Sequence, residues 1–308
     1  MDQRTVIYRY DGTYEGFLCC VFEAFVRKEE PFRMLPYDAP EGLLFEERWI
    51  DTDLQKAKRV AASLSPKISP RAEERIERGF LSCLENKEIY LLRYIRLGFS
   101  VGSRIFGLLT EDCVDKIERA VKYLEREAHF FVEFLRFSEY NGALVSVIEP
   151  KNRVLSLIAG HFCDRFPDEV LLIWDKTHRE ALLWGEGKRR IVPLDEFVPP
   201  EADDGEWQYR RLWKRFFDAV AIEERTNPAC QRNHMPLRYR GQMIEQQMEY
   251  SFLGEEAERR RLRARQAREG RESDGLCCRE EVLRALAGGK GAPGEPHSRP
   301  EPGQTREP

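Results

Sequence analysis

Between Glu224 and Arg240 the chain concentrates side chains able to bind or transform a polar ligand. Arg225, Arg232 and Arg238 carry forked guanidinium groups that match phosphate oxygens two bonds at a time. Asn227 can read the edge of a base and Tyr239 can stack on its face. His234 can move a proton near neutral pH. Pro228 and Pro236 hold the stretch open. The competing reading is an ordered loop whose polar groups satisfy one another and cap helices.

Further candidates lie upstream. His161 stands near Asp164 and Arg165, and Asp175 follows Trp174 at the end of an apolar run. His161, Asp175 and His234 are the candidates for acid–base catalysis, with Asp175 as an orienting carboxylate. Arg136 and Arg165 join Arg225, Asn227, Arg232, Arg238 and Tyr239 as candidate nucleic-acid contacts. His161 also reads as a hydrogen-bonded core histidine. His129, between Glu127 and Glu133, reads as a helix-end side chain and not a metal ligand, because a residue two positions away on a helix points elsewhere. No phosphate loop, dinucleotide fingerprint, nucleophile elbow or zinc-protease motif occurs, so no cofactor and no metal are expected. The closely spaced cysteines of a radical-SAM cluster are also missing, so radical chemistry would have to come from a partner.

A chain of 308 residues, 42% hydrophobic, can bury a substantial core. Its net charge of −4 gives no global basic field. Charge is uneven, however: residues 205–241 hold eight Lys or Arg against four acids, a local excess of four positive charges. The start of the chain has no basic segment followed by an apolar run, and no stretch approaches the ~18 apolar residues of a membrane span. The eight cysteines show no zinc spacing and read as the reduced thiols of a cytoplasmic protein.

The elements that must position these groups follow from periodicity. Val6–Tyr10 reads as a strand closed by Asp11-Gly12, and Thr13 caps a helix to about Lys28. The segment around Leu43–Trp49 is extended. Thr52 and Gln55 form a capping box for a helix ending before Ser65-Pro66, and Ser69-Pro70 opens a helix to about Cys83. Helices follow over 88–99 and from Thr110-Glu111-Asp112 toward Glu127. Phe130–Phe137 and Ala143–Ile148 read as strands of a hairpin turning at Asn141-Gly142. A helix over 153–166, strands over 170–175 and 179–184, and a last helix over 204–222 complete the pattern. The last helix carries Leu212, Trp213, Phe216, Phe217 and Val220 as an apolar face. The expected fold is α+β: a helix-rich N-terminal part, a small antiparallel sheet (strand-strand-helix-strand-strand) and a closing C-terminal helix. The parts are 1–128, mainly helical; 129–250, α+β with the closing helix and integrated with the first; and 254–308, an arginine-rich charged helix running into a disordered tail.

Several blocks resemble a bacterial family named for DNA metabolism or DNA repair. They are Tyr10-Asp11-Gly12-Thr13-Tyr14-Glu15-Gly16-Phe17-Leu18; Glu127-Ala128-His129 with Phe134-Leu135-Arg136-Phe137; His161-Phe162-Cys163-Asp164-Arg165-Phe166; Trp174-Asp175; Leu212-Trp213-Lys214 through Ile222; and Glu224-Arg225-Thr226-Asn227-Pro228, Gln231 and Met235-Pro236-Leu237-Arg238-Tyr239. The resemblance spans roughly residues 6–245. It implies a gene beside a DNA-repair radical-SAM protein, relatives fused to uracil-DNA-glycosylase-like domains, and DNA as the partner. After Tyr239 the family pattern has an aromatic, usually Trp, where this chain has Arg240.

Three readings of function follow. The first is a DNA-binding accessory in DNA repair or modification that works with the radical-SAM partner. The second is a hydrolytic enzyme acting on DNA bases or nucleotides. The third is a protein-interaction scaffold using the arginine-rich tail.

Overall fold

The computed structural model describes residues 6–39, 45–199, 204–222, 225, 227–240, 243 and 283, and it has an α+β fold. The chain divides within one long helix into two compact units, the first up to Lys122 and the second from Tyr123. Among the described residues no helix is long and apolar enough to cross a membrane. The arginine-rich segment from 254 lies outside the described residues except for Leu283.

The first unit is built on strand β1 (Val6–Tyr10), which is buried along its whole length. It lies between β2 (Arg33–Pro36) and β3 (Glu46–Trp49), parallel to both. Helix α1 (Tyr14–Val26) provides the crossover that a parallel β1–β2 pair requires. This parallel sheet is a feature that periodicity did not predict, because β2 and β3 are short and Pro36 ends an edge strand. Thr13 caps α1 by accepting from the Gly16 amide. Helix α2 (Leu54–Lys67) is capped by Asp53, not by the predicted box at Thr52: Asp53 accepts from the amides of Gln55 and Lys56. Thr52 instead donates its hydroxyl to Asp11 Oδ2 at 2.7 Å. The helix also continues past Ser65-Pro66, with Pro66 in its last turn. Helix α3 (Pro70–Leu81) begins as predicted, with Ser69 accepting from the Ala72 amide.

Helix α4 (Lys87–Val101) closes the core of this unit around Phe17, Leu64, Ile76 and Leu92. Tyr10 donates to Glu88 Oε1 at 2.9 Å, and both residues are buried. Burial pushes the Tyr10 phenol far above its usual range, with the Glu88 charge adding to the effect, so Tyr10 stays a donor at physiological pH. Tyr10→Phe removes this donor from a buried carboxylate and should cost about 2 kcal/mol in urea unfolding; a change within ~0.3 kcal/mol would show that the bond contributes nothing.

The second unit starts in helix α5 (Asp112–Phe134). The strand predicted over Phe130–Phe137 is a correction: α5 runs through Phe134, and the hairpin strand is only β4 (Ser138–Tyr140). A short apolar run fits either state, and the helix prevails because Phe130, Phe131 and Phe134 close around one ring, Tyr239. The predicted turn is present, with Asn141 and Gly142 at φ 50° and 74°. It leads to β5 (Ala143–Ile148), helix α6 (Leu155–Arg165), β6 (Val170–Asp175), β7 (Glu180–Gly185) and β8 (Lys188–Pro193).

The sheet order is β4-β5-β6-β7-β8. It is mixed, not wholly antiparallel as predicted: β5 and β6 run parallel, with α6 as their crossover. The unpredicted β8 forms an edge bearing Lys188, Arg189 and Arg190, after a turn in which Glu186 and Gly187 have φ of 52° and 70°. On one sheet face Val145, Leu172, Trp174 and Leu183 pack with Phe197 and Leu283. Helices α7 (Asp204–Val220), α8 (Pro228–His234) and α9 (Leu237–Arg240) follow.

Candidate functional site

Helix α7 carries the apolar face anticipated from its sequence, but the face is not spent on the core. Leu212, Trp213, Phe216 and Val220 retain 63, 41, 54 and 57% of their surface exposed. Leu212, Trp213 and Phe216 form, with Tyr209, a ridge along one wall of a groove of about 1060 Å³. The opposite wall comes from the end of α5 and from Arg136, Phe137, Leu144, Phe162, Arg165 and Phe166.

The aromatic walls are ordered by their own contacts. Phe137 meets Phe162 and Phe166 edge-to-face at 5.4 and 5.5 Å, and the Trp213 and Phe216 rings lie 5.7 Å apart. A polar clamp ties α7 to the sheet. Glu206 accepts from Arg210 Nε at 2.6 Å and from the Glu139 amide of β4 at 3.3 Å, and Arg210 also donates to Ser138 Oγ. Of the two carboxylates in the lining, Glu206 is paired with Arg210, and Glu133, exposed, lies 3.1 Å from His129 Nε2. Arg136 points a guanidinium nitrogen at the carbonyls of Glu133 and Leu135, where a cation suits the end of α5. Arg165 is exposed, with its guanidinium 5.7 Å from the Phe166 ring and no ion pair among the described residues.

The Arg225–Arg240 segment is mostly a brace. Asn227 Oδ1 accepts from the Cys230 amide at 3.0 Å, making it the cap of α8 with Pro228 at the first helical position. Arg238 pairs with Glu127, a carboxylate only 2% exposed, and reaches Tyr123 Oη at 3.4 Å. Glu127 also accepts from the backbone amides of Lys151 and Asn152, at 3.0 and 2.8 Å, and from the Asn152 side chain. Tyr239, 4% exposed, packs among Phe130, Phe131 and Phe134 and presents no face to a base. Burial, reinforced by the Glu127 charge, pushes its phenol up to about 12. Arg240 turns back, its Nε donating to the Met235 carbonyl at 3.3 Å. Arg225 and His234 are exposed. Glu224, Thr226 and the Arg232 side chain lie outside the described residues.

The catalytic candidates do not meet. Asp175 is fully buried and folds its own turn, accepting from the amides of Thr177 and His178. Its Oδ2 lies 2.6 Å from His178 Nδ1. His161 is exposed on α6, edge-on to Phe162 at 5.1 Å. No hydrogen bond or ion pair joins His161, Asp175 and His234 among the described residues. Nor is there, among those residues, a group of three or more His, Cys, Asp or Glu placed to hold a metal ion.

The residues that sequence reasoning missed are Tyr209, Trp213 and Phe216 as a groove wall, and His178 as the partner of Asp175. The signal for the wall was present: eight basic residues surround an aromatic stripe between 205 and 241. The Asp-x-x-His spacing within a turn was the signal for His178.

A family model described as a domain of unknown function, DUF4130, matches residues 85–245. No curated protein matches the chain.

Proposed function

The chain belongs to that family of domains of unknown function, and from this premise we propose that it is a DNA-binding protein of DNA repair or modification, acting as an accessory to a radical-SAM partner. The α7 groove is the observation that carries the reading. It combines aromatic faces with Arg165, a cation with no acid partner among the described residues, and with Arg136 at the same wall. Aromatic platforms beside cations suit nucleic acid, because every base offers a π-face and every nucleotide a phosphate. The four-charge basic excess of residues 205–241 adds attraction for a polyanion although the whole chain is acidic. The resemblance to proteins named for DNA repair supports DNA as the polyanion, and the radical-SAM partner rests on that resemblance alone.

The test is binding of labelled single- and double-stranded DNA to the full chain across a salt series. Affinity should fall log-linearly with salt, and Arg165→Ala should lower the slope by about one. No binding at low salt, with or without the partner protein, would sink the proposal.

A further inference from the structure

We propose that the α7 groove takes an unstacked nucleotide, with the base lying on the Trp213–Phe216 ridge and the phosphate on Arg165. This rests on the DNA-binding reading above and narrows it to unpaired or extruded bases. Four observations carry it. First, Tyr209, Trp213 and Phe216 sit at helical spacing on one face of α7, with Tyr209 71% exposed. They therefore present ring faces and edges to the groove and not to a core. Second, the groove's volume of about 1060 Å³ is just above the ~300–1,000 Å³ range of small-molecule sites, so it admits a base together with its sugar and phosphate.

Third, the groove is selective in charge. Glu206 is paired with Arg210, and Glu133 lies 3.1 Å from His129 Nε2, which is a cation only when protonated; Arg165 lies over the Phe166 ring and makes no ion pair among the described residues. An apolar peptide would bury that guanidinium without an acceptor, whereas a nucleotide supplies one. Fourth, the clamp from Glu206 and Arg210 to β4 holds α7 in place without using the ridge. In a stacked duplex each base face is covered by its neighbours, so an aromatic wall can reach only a base that has left the stack.

The experiment uses the full chain with three probes: an oligo-dT strand containing one 2-aminopurine, the same strand in a duplex, and an oligo-U strand. The single strand should bind more tightly than the duplex, and 2-aminopurine emission should be quenched on binding. Trp213→Ala should weaken single-strand binding about ten-fold, as the loss of one stacked base implies, and Trp213→Phe should restore most of it. Because Trp213 is 41% exposed, the alanine variant should keep the wild-type circular dichroism spectrum and unfolding midpoint.

If Trp213→Ala binds oligo-dT like the wild type, the stacking proposal is overturned while DNA binding stands. Absence of binding to any strand overturns both. Tighter binding of oligo-U overturns DNA as the source of the nucleotide. A change from dimer to monomer in light scattering with Trp213→Ala overturns the proposal by assigning the ridge to a second copy of the chain.

Discussion

Glu127→Ala should destabilise the protein by about 3–5 kcal/mol, the cost of breaking a buried ion pair from one side. The carboxylate is 2% exposed and accepts from two backbone amides, the Asn152 side chain and Arg238. Alanine withdraws the acceptor from all four donors at once, and Asn152 is itself fully buried. Arg238 is exposed, so water can take over part of its loss, which places the expected value toward the lower end. Glu127→Gln keeps one acceptor oxygen and the shape of the side chain, and should recover part of the difference. Urea unfolding of the full chain reads both variants. A loss below about 1 kcal/mol in the alanine variant would mean that water already satisfies these donors.

Tyr239→Ala carries a comparable cost, about 3–5 kcal/mol, for a different reason: it empties an aromatic socket formed by Phe130, Phe131 and Phe134. Tyr239→Phe fills the socket and should lie within about 0.5 kcal/mol of the wild type, since the hydroxyl makes no hydrogen bond among the described residues. The pair separates two roles for the ring. A packing ring makes DNA affinity in Tyr239→Phe indistinguishable from the wild type. A ring that recognises a base through its hydroxyl would lose affinity in the same variant with stability unchanged.

Local chemistry was legible wherever neighbours in sequence decide the outcome. Ser69-Pro70 begins α3, Asn141-Gly142 turns the hairpin, and Thr13 caps α1, because each acts within four residues of itself. Expectation failed where a distant group competes. Thr52 gives up the cap of α2 because the Asp11 carboxylate takes its hydroxyl, and Phe130–Phe134 stay helical because Tyr239 packs on them. Strand direction was hidden for a related reason: β5 and β6 carry no local mark of being parallel, and only the α6 crossover implies it.

The candidate site followed the same rule. Arg136 and Arg165 do reach one groove, but the Arg225–Arg240 stretch, richest in polar donors, is largely consumed by the fold: Asn227 in a cap, Arg238 in an ion pair, Tyr239 in a core. Periodicity marks α7 as amphipathic without saying which molecule covers its apolar side. In the structure Tyr209, Leu212, Trp213 and Phe216 of that side line the groove.

The two edges of the five-stranded sheet bear on how copies of this protein meet. An exposed strand edge is an invitation to pair with the next molecule, and here neither edge extends it. At one end β4 offers only three residues, and at the other β8 opens with Lys188-Arg189-Arg190, whose like charges would face one another in a parallel, in-register pairing. Growth into fibrils by adding strands at these edges is thereby discouraged in concentrated solution. Loss of protein on storage should therefore trace to the ridge of α7, and additives that cover aromatic surface should prevent it better than added salt.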